Sequence, residues 1–184
     1  MLLIVGGIFI YFQILCSPPD SNKKLTPGES LLNKARESTD QAEQKKLLEE
    51  AAVYLKTSME ALPNSFDLYK AYGNCTYLQH RYKECVDAYR VASQLKPDDA
   101  NARKGLYNAL KRYSNDLLAK NDIEAGISIL AEAWQIQPAA ELASAIANGY
   151  EGLGEKQKAL EWYKKAIALS PDDAALKEKM AKVN

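Results

Sequence analysis

The chain has 184 residues, of which 47% are hydrophobic and 26% charged, and its formal net charge is zero. This composition is typical of a soluble domain with a buried core, and the absence of excess Lys and Arg argues against a nucleic-acid-binding protein. The single histidine, His80, and the wide spacing of the three cysteines argue against a zinc site and against a disulfide-stapled fold.

The first 17 residues contain no charged side chain and are rich in Leu, Ile, Val and Phe. As a helix they would span about 26 Å, slightly less than the roughly 30 Å hydrocarbon core of a bilayer. We therefore predict a single-pass membrane anchor over residues 1–17. Lys23 and Lys24, just after it, favour a cytoplasmic domain, and a periplasmic or exported domain is the alternative.

Two other interpretations of this segment stay open. A cleaved signal peptide fits the apolar length, although no basic residue precedes the apolar run and no A-x-A-like cleavage site follows it. A lipoprotein signal ending at Cys16 is the other, although Leu15 stands where such signals prefer a small residue. The proline-containing stretch over residues 18–27 is then a linker in every case.

Four prolines, Pro63, Pro97, Pro138 and Pro171, are separated by 34, 41 and 33 residues. Counting back from each proline gives the same set of a small, a large apolar and a small residue at i, i+4 and i+7. This spacing lies on one face of a helix, and the small residues allow a neighbouring helix to approach closely. The sets are Ala51, Leu55 and Ser58; Cys85, Tyr89 and Ala92; Gly126, Leu130 and Ala133; and Ala159, Tyr163 and Ala166.

A second helical pattern precedes each set, with Tyr69 and Gly73 in one copy and Tyr150 and Gly154 in another. Together with the proline spacing, these residues resemble the tetratricopeptide repeat family. The resemblance implies an all-α solenoid of stacked antiparallel helix pairs behind the apolar N-terminal helix. It divides residues 28–184 into about four units, over 30–63, 64–97, 98–138 and 139–171, and a capping helix over 172–184.

The third unit carries seven extra residues, which is nearly two helical turns. The apolar residues Leu106, Leu110, Tyr113 and Leu117 continue through it at helical spacing, so we predict one long helix over about 100–119. Polar residues after three of the prolines, at 64–65, 98–99 and 172–173, are predicted N-caps. Leu176 and Met180 give the capping helix its apolar stripe.

No arrangement of side chains indicates catalysis, so we expect neither an enzyme nor a bound cofactor. His80 falls in a predicted turn, without a nucleophile and an orienting group beside it. Cys75 and Cys85 stand where small apolar residues pack, which favours buried free thiols over a disulfide. No glycine-rich phosphate loop occurs.

The resemblance implies that the first helix of each pair lines a concave groove. On these helices lysine precedes asparagine by four residues, which places both on one face. Lysine pairs with carboxylates, and asparagine can bond both the N–H and the C=O of an extended peptide, so we predict a peptide-binding groove with Tyr77 as an aromatic anchor. Its residues are Lys70, Asn74, Tyr77, Lys104, Asn108, Lys111, Asn115 and Asn148.

This set is similar to half of the family's carboxylate clamp, but Glu141 and Ala145 stand where the other half has basic residues. The expected function is that of a membrane-tethered scaffold or adaptor that mediates protein–protein interaction by binding a peptide segment. The expected partners are a protein or peptide, the membrane through residues 1–17 and, in some readings, a second copy of the chain, with no nucleic acid and no small-molecule substrate. The alternatives are a self-associating assembly platform, or an exported or periplasmic repeat protein after signal cleavage.

Overall fold

The computed structural model describes residues 26–183, so the predicted anchor over residues 1–17 and most of the predicted linker lie outside it. Residues 26–183 contain helices and connecting turns and no strand, which confirms the all-α prediction for this part of the chain. None of the helices in this range is long and apolar enough to cross a membrane. They are α1 (Pro27–Glu37), α2 (Gln41–Ala61), α3 (Phe66–Leu78), α4 (Tyr82–Leu95), α5 (Ala100–Ala119), α6 (Ile123–Ile136), α7 (Ala140–Gly152), α8 (Lys156–Leu169) and α9 (Ala174–Val183).

The helices pack as consecutive pairs, α1 with α2, α3 with α4, α5 with α6 and α7 with α8, and α9 covers α8. Neighbouring pairs are joined by contacts of α2 with α3, α4 with α5, and α6 with α7. The first helices also touch directly, α1 against α3 and α3 against α5. This pattern of contacts between near neighbours is that of a helical solenoid.

The small residues of the repeated sets allow this close packing. Ala51, Cys85, Ala133 and Ala159 are fully buried. The Cys85 thiol donates a hydrogen bond to the carbonyl oxygen of Gly73 at 3.1 Å, and burial raises its pKa to about 12. Both described cysteines are free and buried, as the sequence predicted. A thiol with so high a pKa stays protonated and acts as a packing group.

Asp99 and Asp173 act as N-caps, as predicted. The Asp99 carboxylate accepts a hydrogen bond from the backbone N–H of Ala102 at 2.7 Å, and Asp173 accepts from the first turn of α9. Ser65 stands at the N-cap of α3, as predicted, but its side chain makes no cap hydrogen bond. The turn between α3 and α4 uses His80 in a left-handed conformation with φ 59°, which agrees with its predicted role as a turn residue.

Two helices are longer than their counterparts. Among the helices that come first in their pairs, α5 has 20 residues, whereas α3 and α7 have 13. Among those that come second, α2 has 21 residues, whereas α4, α6 and α8 have 14. The continuous α5 confirms the prediction of one long helix through the seven-residue insertion. Helix α6 keeps the ordinary 14 residues, so α5 is the longer helix of this pair.

Candidate functional site

A hollow of about 420 Å³, here called the central hollow, opens between the first helices α3 and α5. Five of the eight predicted groove residues line it, so the helix packing brings together side chains that are up to 38 positions apart in the sequence. Its full lining is Lys70, Asn74, Tyr77, Tyr89, Asn101, Lys104, Gly105 and Asn108. None of these residues carries a negative charge.

Tyr89 forms the floor of the central hollow, although it belongs to the second helix α4. Its ring passes between Gly73 of α3 and Gly105 of α5, where a Cβ atom would lie 2.8 Å and 2.3 Å from ring carbons. Because only glycine leaves room for the ring, these two positions let Tyr89 reach the groove. Its hydroxyl donates a hydrogen bond to Asn74 Oδ1 at 2.8 Å.

This bond changes what Asn74 offers to a ligand. Its carbonyl oxygen already accepts a hydrogen bond from Tyr89, and burial raises the pKa of that tyrosine, so the hydroxyl remains a donor over the ordinary pH range. The bond also fixes the orientation of the amide, whose NH₂ group is left to donate to a ligand carbonyl. Asn74 is therefore set up mainly as a donor, rather than as the two-way partner that the sequence suggested.

The same arrangement recurs near the C-terminal end of the solenoid. The single hydroxyl proton of Tyr163, on α8, is shared between Asn148 Oδ1 at 2.5 Å and Glu151 Oε2 at 3.0 Å from the hydroxyl oxygen. Burial, followed by the hydrogen bond to Glu151, raises the pKa of Tyr163 to about 12. Asn148 lies in a separate hollow between α7 and α9, whose lining includes Glu141 and Asp173. The structure therefore does not place Asn148 in the central hollow.

The second lysine–asparagine pair of α5 also lies outside the central hollow. Lys111 Nζ lies 5.3 Å from the centre of the Tyr107 ring, and Asn115 is exposed. Tyr77, at the edge of the hollow, accepts a long hydrogen bond of 3.4 Å from Arg112 Nε and contacts Tyr82 edge-on. The predicted residues thus divide into five that share one hollow and three that do not.

A second hollow of about 390 Å³, here called the flanking hollow, lies on the other side of α5. It forms where the first turns of α5 extend beyond the end of α6. Lys104 and Asn108 border both hollows, so they stand on the ridge between them. The flanking hollow is lined by Ala100, Arg103, Lys104, Tyr107, Asn108, Ile136 and Gln137.

The charges on α5 are unevenly distributed for a chain of zero net charge. Helix α5 contains four basic residues and one acidic residue, Asp116, while Asp99 before it is held in the N-cap. Some cations elsewhere are paired, as Arg90 is in its two-pronged ion pair with Glu132. Within residues 26–183, Lys70, Arg103 and Lys104 take part in no ion pair. Their charges are available to an anionic ligand.

Sequence reasoning missed Tyr89, Asn101, Gly105 and Arg103 as residues of this surface. The sequence pattern predicts only packing for Tyr89. In the structure its ring packs, and the residue also lines the central hollow. The signal that could have revealed it is the pair of glycines on consecutive first helices. Asn101 could have been found from its i, i+3 and i+7 relation to Lys104 and Asn108, which places all three on one face.

The comparisons with known proteins agree with the helical-repeat architecture. A tetratricopeptide repeat family model matches residues 140–173, which contain α7 and α8. The solved structure of MamA is 19% identical, covers 87% of this chain and 84% of its own, and has a TM-score of 0.50. A MamA structure from Desulfovibrio magneticus RS-1 is 18% identical, with 88% and 86% covered and a TM-score of 0.49.

A structure of YrrB, described as a tetratricopeptide repeat protein with an unusual peptide-binding site, is 18% identical, with 81% and 89% covered and a TM-score of 0.39. A search of curated proteins found no match. At these identities the likeness to solved structures concerns the fold alone. Residues 140–173 are therefore a tetratricopeptide repeat, set within an all-helical solenoid of stacked helix pairs.

Proposed function

We propose that the protein is a membrane-tethered, non-enzymatic scaffold that binds an extended peptide segment of a partner protein in the groove around α5. The observation that carries the proposal is the central hollow, which combines unpaired lysines, oriented amides and aromatic rings without a carboxylate. Such a lining suits an extended chain, because amides bond its backbone while cations and rings hold its side chains.

Each kind of side chain has a distinct role in this binding. Lys70 of α3 and Lys104 of α5 both line the hollow, and both attract a carboxylate. Asn74, held by Tyr89, donates from its amide to a backbone carbonyl of the ligand. Tyr77 supplies an aromatic surface at one edge, where Arg112 and Tyr82 limit its rotation.

The apolar, uncharged segment over residues 1–17 supports the tethering part of the proposal. A scaffold fixed at a bilayer raises the effective concentration of a captured partner towards other anchored proteins. Extraction of membranes at alkaline pH tests this part directly. The full chain should remain with the lipid pellet, whereas a chain without residues 1–17 should be released, and release of both contradicts the tether.

The peptide-binding part is tested by charge reversal. Proximity labelling with the full chain identifies partners, and binding of each purified partner is then measured for the native chain and for Lys70→Glu with Lys104→Glu. We expect the double variant to lose binding by about tenfold or more, since each lysine provides a charge-assisted contact. Lys164→Glu, an exposed change on α8, is the matched control. Equal binding by all three proteins contradicts the groove.

A second candidate function is self-association into an assembly platform. It is favoured by apolar side chains left exposed on and just after α2, with Val53 at 66%, Tyr54 at 52% and Leu62 at 60% exposure. Light scattering separates this candidate from the first. A monomer at all concentrations counts against it, whereas a dimer that Val53→Ser with Tyr54→Ser dissociates supports it.

A further inference from the structure

The two hollows beside α5 differ from three other hollows in the described part of the chain, each of which includes a carboxylate. The hollow between α1 and α3 includes Glu29 and Asp67 beside Arg36 and Lys70, and that between α7 and α9 includes Glu141 and Asp173 beside Lys179. A hollow at the start of α2 includes Glu49. The central and flanking hollows contain cations and no carboxylate. The middle of the groove is therefore its cationic part.

The two hollows lie on neighbouring faces of α5 and meet at the ridge formed by Lys104 and Asn108. Lys70 stands on the α3 side of the central hollow, Arg103 lines the flanking hollow, and Lys104 lies on the ridge between them. A helix with its side chains is about 10 Å across. An extended chain advances about 3.3 Å per residue, so a segment that crosses α5 places side chains in both hollows when they are about three residues apart.

We propose, as a refinement that rests on the proposed function, that the ligand is an extended acidic segment with two Asp or Glu side chains at positions i and i+3, one in each hollow. The first carboxylate lies between Lys70 and Lys104, and the second reaches Arg103. Asn108, on the ridge, donates to the backbone that crosses α5. Arginine presents a planar fork of donors to a carboxylate, which suits the second position.

The flanking hollow lies where the first turns of α5 meet the end of α6. Its walls include Ala100, Tyr107 and Ile136, which can contact the methylene groups of a Glu side chain while its carboxylate reaches Arg103. Lys111 keeps its ammonium near Tyr107, at 5.3 Å from the ring centre, and adds to the positive field of the ridge.

The test uses the full chain in non-ionic detergent and fluorescent peptides of about ten residues, long enough to cross α5 in extended form. All carry blocked ends, and their two Glu residues stand at i and i+3, at i and i+1, or are replaced by Gln. Further probes are a phosphoserine pair at i and i+3, a Gln peptide with a free terminal carboxylate, and phosphatidylserine vesicles. Affinity is read by anisotropy at two salt concentrations for the peptides and by co-sedimentation for the vesicles.

We expect the i, i+3 Glu peptide to bind about tenfold more tightly than the i, i+1 peptide, as one charge-assisted contact is worth about that factor. Arg103→Glu should remove this preference, Arg103→Gln should reduce it, and Lys164→Glu should leave it unchanged. Added salt should weaken the binding of the i, i+3 peptide most. Circular dichroism of each variant confirms that the helices are retained.

Several results would overturn the inference. They are equal affinity of the two Glu spacings, equal behaviour of Arg103→Glu and Lys164→Glu, or binding of only the phosphoserine peptide, the free-carboxylate peptide or the vesicles. Loss of the spacing preference with retained sensitivity to Lys70→Glu leaves the peptide groove in place and removes the two-hollow ligand. If a purified partner binds equally well to the native chain and to Lys70→Glu with Lys104→Glu, the proposed function itself is wrong.

Discussion

Gly105 is the position at which the packing of the solenoid and the shape of the groove depend on one missing methyl group. A Cβ atom there would lie 2.3 Å from two carbons of the Tyr89 ring and 2.8 Å from its hydroxyl oxygen. The Tyr89 ring cannot move away from this methyl group, because Gly73 lies against its other side, where a Cβ atom would be 2.8 Å from ring carbons. Tyr89 is also only 5% exposed. Gly105→Ala should therefore force Tyr89 out of its position.

The size of the effect follows from two opposing contributions. Alanine stabilises a helix interior by about 1 kcal/mol relative to glycine. Overpacking of a core costs about 1–3 kcal/mol, and an approach this close to a ring held on both sides belongs at the upper end. We expect Gly105→Ala to lower the free energy of unfolding by about 2 kcal/mol and the melting temperature by about 4–8 °C.

Gly152→Ala is the matched control, since its Cβ atom would meet only Ile123 Cδ1 at an ordinary 3.5 Å. This variant should be unchanged or stabilised by up to about 1 kcal/mol, so the same substitution has opposite signs at the two sites. Urea unfolding followed by circular dichroism measures both. In a Tyr89→Leu background the cost of Gly105→Ala should disappear. A native-like stability of Gly105→Ala, or an equal cost in both backgrounds, refutes the clash with Tyr89.

Three further outcomes are expected. A thiol reagent should label neither Cys75 nor Cys85 in a folded chain whose third cysteine is replaced, since both are fully buried, and labelling before unfolding contradicts the packing role. Stability should fall as the pH rises from 10 to about 12, because the folded chain holds the pKa of Tyr163 at about 12 against its ordinary 10.0, and Tyr163→Phe should show a shallower fall. A double-mutant cycle on Arg90 and Glu132 should give a coupling of about 0.5 kcal/mol, small because both side chains are about one-third exposed, and zero coupling contradicts it.

The architecture was accessible from the sequence because its determinants are local and repeat. The small–large–small sets counted back from the prolines identify the second helices, and Leu106, Leu110 and Tyr113 carry one helical face through the insertion in α5. These signals are periodic within a single helix, so one sequence suffices to detect them. Ser65 shows what such local signals do not predict. It stands at the N-cap of α3 without a side-chain hydrogen bond, because residue type favours a cap but the local geometry decides whether the bond forms.

The candidate site was accessible only in part because it is built between helices. The face of each first helix was predicted, and five of the residues named on those faces meet in the central hollow. That Tyr89 passes between two helices to hold Asn74 depends on the distance between α3 and α5, which no spacing within one helix encodes. The flanking hollow likewise depends on where α6 ends relative to α5.

The insertion in α5 also explains why its two lysine–asparagine pairs behave differently. Asn108 follows Asn74 by 34 residues and shares its hollow, whereas Asn115 precedes Asn148 by 33 and shares none. The residue 15 positions after Asn74 and after Asn148 is a tyrosine that bonds it, whereas both asparagines of α5 have an aliphatic residue at that spacing, Ile123 and Leu130. Seven residues displace the two pairs by about 10 Å along α5, so the first pair continues the groove of the preceding helices while the second stands beyond it.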